Sequence, residues 1–294
     1  MSEMANPKLS VDEQSALDAQ FDTRAAVPEH PMMFARWAER SAQARLDLGT
    51  LMDLKYGPHP RQRIDLVDAG MHSPLLVFLH GGFWRAFDKS AFTFIAPPFV
   101  DHGISVAVVD YALCPEVTVR EVCDQVATAV AYLREVAPNH SFDAERTVLA
   151  GHSVGAHMAV WLGGVDWTTR GLTSQPYHGV VAISGIYDLV PVSRSFLNAD
   201  LKLSEEEAWA LSPLHEPPGW MPPAVFAVGD QETEAFREQQ DAMVGVWQAC
   251  GAGAEVVPMA GFNHFDILDA LADPASRLFR AACRLAEEVG SLAQ

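Results

Sequence analysis

Apolar residues fall into two patterns that alternate along the chain. Residues 74–80 and 104–110 are continuous apolar runs, which are typical of strands buried on both faces. Within residues 117–136, Val122, Val126 and Val130 recur at core spacing, which predicts an amphipathic helix. Such alternation of strands and helices favours a mostly parallel sheet with helices on both faces, so the predicted fold class is α/β.

The remaining elements follow from the same patterns. The chain up to about residue 50 is predicted to form surface helices, with Ser10 and Glu13 as a capping box. Hairpin strands are predicted at 53–56 and 64–67, followed by a helical region at 89–101. Further strands are predicted at 179–184, 224–229 and 254–259, and further helices at 233–249 and 265–289.

One polar, proline-broken stretch, at about residues 190–222, interrupts the alternation. We interpret it as a short cap inserted over the carboxyl edge of the sheet, where open α/β sheets bind ligands. The predicted organisation is therefore an N-terminal helical segment at 1–50 packed on a main domain at 51–294 that carries the cap.

A sharp turn at Gly151-His-Ser-Val-Gly155 joins an apolar run to a helix pattern. Glycines two residues before and after Ser153 allow a strained turn that exposes the serine hydroxyl at its tip. The same turn places the amide N–H of Val154 at the start of a helix, where negative charge is stabilised. The motif predicts a serine nucleophile.

A serine nucleophile needs a histidine base and a carboxylate behind it, in the chain order serine, acid, histidine. Of the 11 histidines, only His264 lies after position 215, in the loop that follows the last predicted strand. Asp230 ends the strand at 224–229 and is the favoured acid, with Asp188 as the alternative. Glu232 and Glu234 come slightly late in the sequence and are expected to start the next helix.

A second loop with candidate chemistry is His80-Gly-Gly-Phe-Trp84, directly after a buried strand. Adjacent glycines let backbone N–H groups face a developing oxyanion. Gly81, Gly82 and Val154 are therefore the predicted oxyanion-hole donors. His152 and His157 are expected to be structural.

Composition and charge narrow the functional classes. The 294-residue chain is 49% hydrophobic and has no apolar run long enough to span a membrane. Its net charge of −18 argues against nucleic acid or an anionic membrane as partner. No metal or nucleotide motif is found, so neither a metal nor a cofactor is expected. The four scattered cysteines indicate reduced core thiols, and residues 1–8 show no secretory signal, so we expect a cytoplasmic protein.

Together, His80-Gly-Gly-Phe-Trp84 and Gly151-His-Ser-Val-Gly-Ala-His157 resemble the kynurenine formamidase (arylformamidase) branch of the α/β hydrolases, which carries an H-G-G-x-W loop. The resemblance runs from about Tyr56 to Ile267. It implies an α/β-hydrolase fold and Ser153, Asp230 and His264 as the triad. Hormone-sensitive-lipase-like esterases resemble the chain less, because they usually have a third glycine where Phe83 stands. Val154 departs from the expected alanine, and its branched side chain is expected to narrow the acyl pocket.

The predicted activity is hydrolysis of an N-formyl arylamine through an acyl-enzyme, with a carboxylesterase as the alternative. A non-catalytic binding protein that keeps the fold is a third reading, which an intact triad argues against. An aromatic wall for an aryl group is predicted from Phe83, Trp84, Phe87, Tyr111 and Tyr187. Of these, Phe83, Trp84, Tyr111 and Tyr187 are the predicted substrate-binding residues. A small molecule is the expected partner, and a homodimer is left open.

Overall fold

A computed structural model describes residues 9–49 and 51–289. Residues 1–8, on which the expectation of no secretory signal rests, lie outside this range. The Ser10 capping box is present as predicted: its hydroxyl accepts the N–H of Glu13, and the Glu13 carboxylate accepts the N–H of Ser10. None of the described helices is long and apolar enough to cross a membrane.

Eight strands form one sheet in the order β1-β2-β4-β3-β5-β6-β7-β8. β1 and β2 form the predicted antiparallel hairpin at one edge, β2 also pairs antiparallel with β4, and the six remaining strands are parallel to one another. The mostly parallel sheet is as predicted. The strands are β1 (Leu51–Lys55), β2 (Arg63–Val67), β3 (Ser73–Leu79), β4 (Ser105–Val109), β5 (Phe142–His152), β6 (Gly179–Ile183), β7 (Ala224–Gly229) and β8 (Ala254–Met259).

Twelve α-helices accompany the sheet in the described residues. They are α1 (Val11–Phe21), α2 (Thr23–Ala26), α3 (His30–Asp47), α4 (Ala96–Asp101), α5 (Val119–Val136), α6 (Val154–Trp161), α7 (Val190–Ser193), α8 (Asn198–Leu201), α9 (Glu205–Ala210), α10 (Glu234–Ala249), α11 (Ile267–Leu271) and α12 (Arg277–Glu288).

The core has two layers, one on each face of the sheet. Side chains alternate between the faces along a strand, so Leu75 and Val77 of β3 belong to one apolar cluster while Leu76 and Phe78 belong to the other. Helices α5, α6 and α10 cover the first face, and α4, α11 and α12 cover the second. All seven residues of β3 are buried, which explains its uninterrupted apolar sequence.

Two predicted helices are wrong in extent. The closing helix expected at 265–289 is divided into α11 and α12, because Pro274 cannot donate a helical hydrogen bond, and Ser276 starts a new helix by accepting the N–H of Phe279. The helical region at 89–101 consists of two short 3₁₀ turns followed by α4.

All four cysteines are free, as predicted, but the expectation that they are core thiols is wrong for Cys250, which is exposed.

The parallel strands bring several loops to one edge of the sheet. β3, β5, β7 and β8 end at Leu79, His152, Gly229 and Met259, so the segments that follow them meet at their shared carboxyl edge. Helices α1 to α3 and the segment from α7 to α9 lie beside this edge, because residues of both border one cavity there. The chain thus assembles its candidate chemistry at one rim.

Candidate active site

Ser153 occupies a strained turn between β5 and α6. Its backbone is left-handed, with φ 57° and ψ −121°, and its N–H donates to the carbonyl of Ile183 at 2.8 Å. A side chain on Gly151 would collide with the backbone of Gly155, and one on Gly155 would collide with the carbonyl of Leu79. The glycines are therefore required by close backbone packing, as the sequence motif predicts.

The Ser153 hydroxyl is positioned to react with a molecule in the cavity. Its Oγ is buried and makes no hydrogen bond to any described residue, while the residue itself borders the cavity. Helix α6 begins at the next residue, so its N-terminal partial positive charge lies beside this hydroxyl.

His264 borders the same cavity as Ser153 and is held from two sides. Its Nδ1 lies 2.6 Å from Oε2 of Glu232, and both side chains are buried. The backbone carbonyl of His264 is 2.8 Å from Nε2 of His152, whose ring centre lies 4.7 Å from that of His264. Because Nδ1 is engaged by the carboxylate, Nε2 is the nitrogen left to exchange a proton.

The acid partner of His264 is Glu232, so the prediction of Asp230 is wrong. Asp230 is exposed, and its Oδ1 accepts the N–H of Gly261 at 2.8 Å, on the loop leading to His264. The alternative, Asp188, pairs instead with Nε2 of His215 at 3.0 Å.

A tight turn after β7 explains this exchange of roles. The N–H of Glu232 donates to the carbonyl of Gly229, which folds the glutamate back over the end of the strand. Its Oε1 then accepts the N–H of Gly229 at 2.8 Å and the hydroxyl of Ser184 at 2.6 Å, leaving Oε2 for His264. The sequence prediction assumed that Glu232 starts the next helix, whereas α10 begins at Glu234.

Burial keeps the two other histidines near the nucleophile neutral. The pKa of His152 is lowered well below its ordinary value by burial first, with the charge of His264 acting in the same direction. Burial lowers the pKa of His157 to about 4, and its Nε2–H donates to the carbonyl of Leu211 at 2.7 Å. His157 therefore has the packed, hydrogen-bonded position predicted for it.

The loop after β3 lies against the nucleophile. A Cβ on Gly81 would be 2.9 Å from Nδ1 of His152 and 3.1 Å from Cβ of Ser153, so only glycine allows this approach. Gly82 has a φ of +112° and, like Gly81, borders the cavity. This position suits the predicted oxyanion-hole role of their N–H groups, which stays a prediction.

Aromatic packing supports this loop from behind. The His80 ring stacks between Tyr111 and Phe92, with ring centres 4.2 Å and 5.4 Å away, and the Tyr111 hydroxyl donates to the His80 carbonyl at 2.6 Å. The two residues after Gly82, Phe83 and Trp84, also have positive φ values, 49° and 55°. These five stacked or strained residues fix the backbone that faces Ser153.

Most of the predicted aromatic wall lies elsewhere. Phe83 borders the cavity, but Trp84, Tyr111 and Tyr187 are fully buried in the core and do not. Trp84 packs edge-on against His157. The side chain of Val154 is also buried away from the cavity, so the expectation that it narrows the acyl pocket is wrong.

The actual wall comes from helices α1 to α3 and from loops at the edge of the sheet. The cavity has a volume of about 70 Å³. Hydrophobic periodicity does not predict this lining, because a helix that packs over a site has the same spacing of apolar residues as a helix that packs on a core. Phe87, predicted for the aromatic wall, does line the cavity, whereas the lining residues not predicted from the sequence include Phe21, Arg24, Trp37, Phe92, Phe196, Leu197 and Phe265.

The chain is similar in sequence to known hydrolases. The BD-FAE family model matches residues 67–216. Kynurenine formamidase from Salmo salar is 29% identical over 244 residues, 80% of this chain and 81% of that protein.

Among solved structures, a protein from Silicibacter sp., for which thioesterase activity has been proposed, is 31% identical, with 90% of this chain and 97% of that chain covered and a TM-score of 0.79. Esterase B from Lactobacillus rhamnosis is 17% identical, covers 91% and 97% of the two chains with a TM-score of 0.68, and has the same fold.

Proposed function

Since this chain belongs to the BD-FAE family of α/β hydrolases, we propose that it is a serine hydrolase that cleaves an N-formyl arylamine through an acyl-enzyme intermediate. The comparisons confirm the resemblance to kynurenine formamidases predicted from the two glycine motifs. The observation that carries the proposal is the buried Glu232–His264 pair, 2.6 Å apart, on the same cavity as the unpartnered hydroxyl of Ser153.

In the first half of the proposed reaction, Oγ of Ser153 attacks the formyl carbon while Nε2 of His264 accepts the hydroxyl proton. The Glu232 carboxylate accepts the Nδ1–H and stabilises the imidazolium. N–H groups of Gly81, Gly82 and Val154 donate to the oxyanion. His264 then returns the proton to the departing arylamine nitrogen, the C–N bond breaks, and a formyl ester of the serine remains.

In the second half, a water molecule attacks the formyl ester. His264 accepts one proton of this water, a second oxyanion forms, and its collapse releases formate as the proton returns to Oγ of Ser153. The enzyme is restored, and one water has been consumed for each arylamine and formate produced.

Ester or thioester hydrolysis is the second candidate, because the same residues would perform it and the Silicibacter protein has been proposed to be a thioesterase. Turnover of N-formylkynurenine and of p-nitrophenyl acetate separates the two. Cleavage of the ester alone would contradict the formamidase proposal and leave the esterase.

Labelling with a fluorophosphonate tests the serine mechanism itself. We expect covalent labelling of the wild-type protein and none of Ser153→Ala, together with a loss of at least about 10⁴-fold in kcat. A wild-type protein that fails to label would favour the ligand-binding reading. We also propose a small-molecule substrate, no nucleic-acid or membrane partner and a cytoplasmic location; whether the protein forms a homodimer stays open.

A further inference from the structure

The outer wall of the cavity carries a positive charge with no carboxylate partner. Arg24 of α2 borders the cavity that contains Ser153, yet Arg24 is solvent-exposed whereas Ser153 is buried, so the arginine lies towards the mouth. In the described part of the chain, no Asp or Glu oxygen forms an ion pair with it.

Aromatic rings hold this guanidinium in place. Its central carbon lies 5.9 Å from the ring centres of both Phe34 and Phe87, and these two rings are perpendicular to each other, 4.9 Å apart. A guanidinium near an aromatic ring is attracted by the electrons of the ring, and this contact does not use the N–H donors. Those donors remain available to a ligand, and Phe87 itself borders the cavity.

The two other charged side chains of the cavity wall differ from Arg24. Arg85 forms an ion pair with Asp200, so its charge is already compensated. The Asp22 carboxylate accepts the N–H of Ala25 at 3.0 Å as the N-cap of α2, and it opposes an anionic ligand. Arg24 is therefore the one cavity-lining cation of the described residues whose charge is uncompensated.

Resting on the proposed function, we propose that Arg24 binds a carboxylate on the leaving-group part of the substrate. The planar guanidinium matches the two oxygens of a carboxylate. Because Arg24 lies nearer the mouth than the nucleophile, the bound carboxylate belongs to the part of the substrate away from the scissile carbonyl. The preferred substrate is thus an aryl formamide or ester whose aryl part carries a carboxylate.

The test uses substrate pairs that differ in charge and little in shape: 4-formamidobenzoate against 4-formamidobenzamide, and 4-acetoxybenzoate against 4-acetoxybenzamide. The measured quantity is the ratio of kcat/KM for the acid to that for the amide, which removes general effects on catalysis. We expect Arg24→Gln to lower this ratio about tenfold, as for an exposed charge-assisted hydrogen bond, and Arg24→Lys to retain part of it.

Two matched variants on the same wall serve as controls. The double variant Arg85→Gln/Asp200→Asn should alter the acid and the amide alike, because it removes both charges of a compensated pair. Asp22→Asn keeps a good N-cap and removes the opposing negative charge, so it should raise the ratio. An Arg24→Gln ratio within twofold of the wild-type ratio overturns the proposal, and so does an equal fall in the double variant Arg85→Gln/Asp200→Asn.

Failure of the proposed function gives a different result. If the wild-type protein cleaves neither pair, hydrolysis of this substrate class is refuted, and calorimetric binding of the same four compounds to Ser153→Ala then decides the role of Arg24. If the acids bind more tightly than the amides, and Arg24→Gln abolishes this difference, the carboxylate site is supported. Equal binding of acid and amide, or no binding of either, overturns it.

Discussion

Replacing Glu232 by glutamine removes one acceptor oxygen from a carboxylate that accepts three hydrogen bonds. The carboxylate accepts the hydroxyl of Ser184 and the N–H of Gly229 on Oε1, and the Nδ1–H of His264 on Oε2. A glutamine amide has a single acceptor oxygen. The Ser184 hydroxyl and the Gly229 N–H both donate to that oxygen and fix its position, so the glutamine NH₂ group faces His264. Nδ1 of His264 must then accept a hydrogen bond from the NH₂ group.

The consequence is the wrong tautomer of His264. With Nδ1 accepting, the ring carries its proton on Nε2 and cannot take the proton from Ser153. Loss of the equivalent interaction in serine proteases lowers kcat by about 10⁴-fold, which corresponds to about 5.5 kcal/mol of activation free energy. We expect a loss of this size in Glu232→Gln, measured as kcat for p-nitrophenyl acetate.

Asp230→Asn is the matched control, because it removes a carboxylate two residues away that contacts only the loop at Gly261. We expect its kcat to fall less than tenfold. Thermal unfolding of both variants distinguishes lost chemistry from lost structure. A Glu232→Gln protein that is folded and retains more than a tenth of wild-type kcat would refute the reasoning, and so would a 10³-fold loss in Asp230→Asn.

Two further predictions concern the framework of the site. Gly155→Ala places a methyl group against the carbonyl of Leu79, so we expect chemical denaturation to show a loss of about 3 kcal/mol, whereas an unchanged midpoint would contradict the close approach. His157, with a folded pKa of about 4, binds its proton more weakly than in the unfolded chain, so the unfolding free energy should fall by about 3 kcal/mol as pH drops from about 6.5 to 4. This slope should flatten in His157→Gln; an identical slope would exclude His157 as its source.

Sequence alone predicted the parts of the site that depend on backbone geometry. The turn at Ser153 and the loop at Gly81 need glycines for steric reasons, and steric requirements leave a pattern in the sequence. The single late histidine, His264, needed only chain order. Strand and helix alternation likewise sufficed for the sheet, because buried parallel strands are apolar throughout.

Side-chain direction could not be predicted in the same way. Choosing between Asp230 and Glu232 required the turn that returns residue 232 to Gly229, and no residue pattern specifies which of two nearby carboxylates points inward. The cavity wall was missed for a related reason, since aromatic residues such as Trp84 and Phe92 are equally apolar whether they line a core or a site. The break at Pro274 was visible in the sequence and was overlooked.

The cavity has two components of different origin. Its reactive groups stand on the strand ends, where Gly155 and Gly81 permit almost no change, while Phe21, Arg24 and Trp37 come from helices that take no part in the sheet. Mutations in these helices can remodel which molecules fit without disturbing bond cleavage. The same scaffold can therefore acquire different substrate selectivity through changes in its peripheral helices. Mutant libraries that vary residues of these helices are the rational route to altered selectivity.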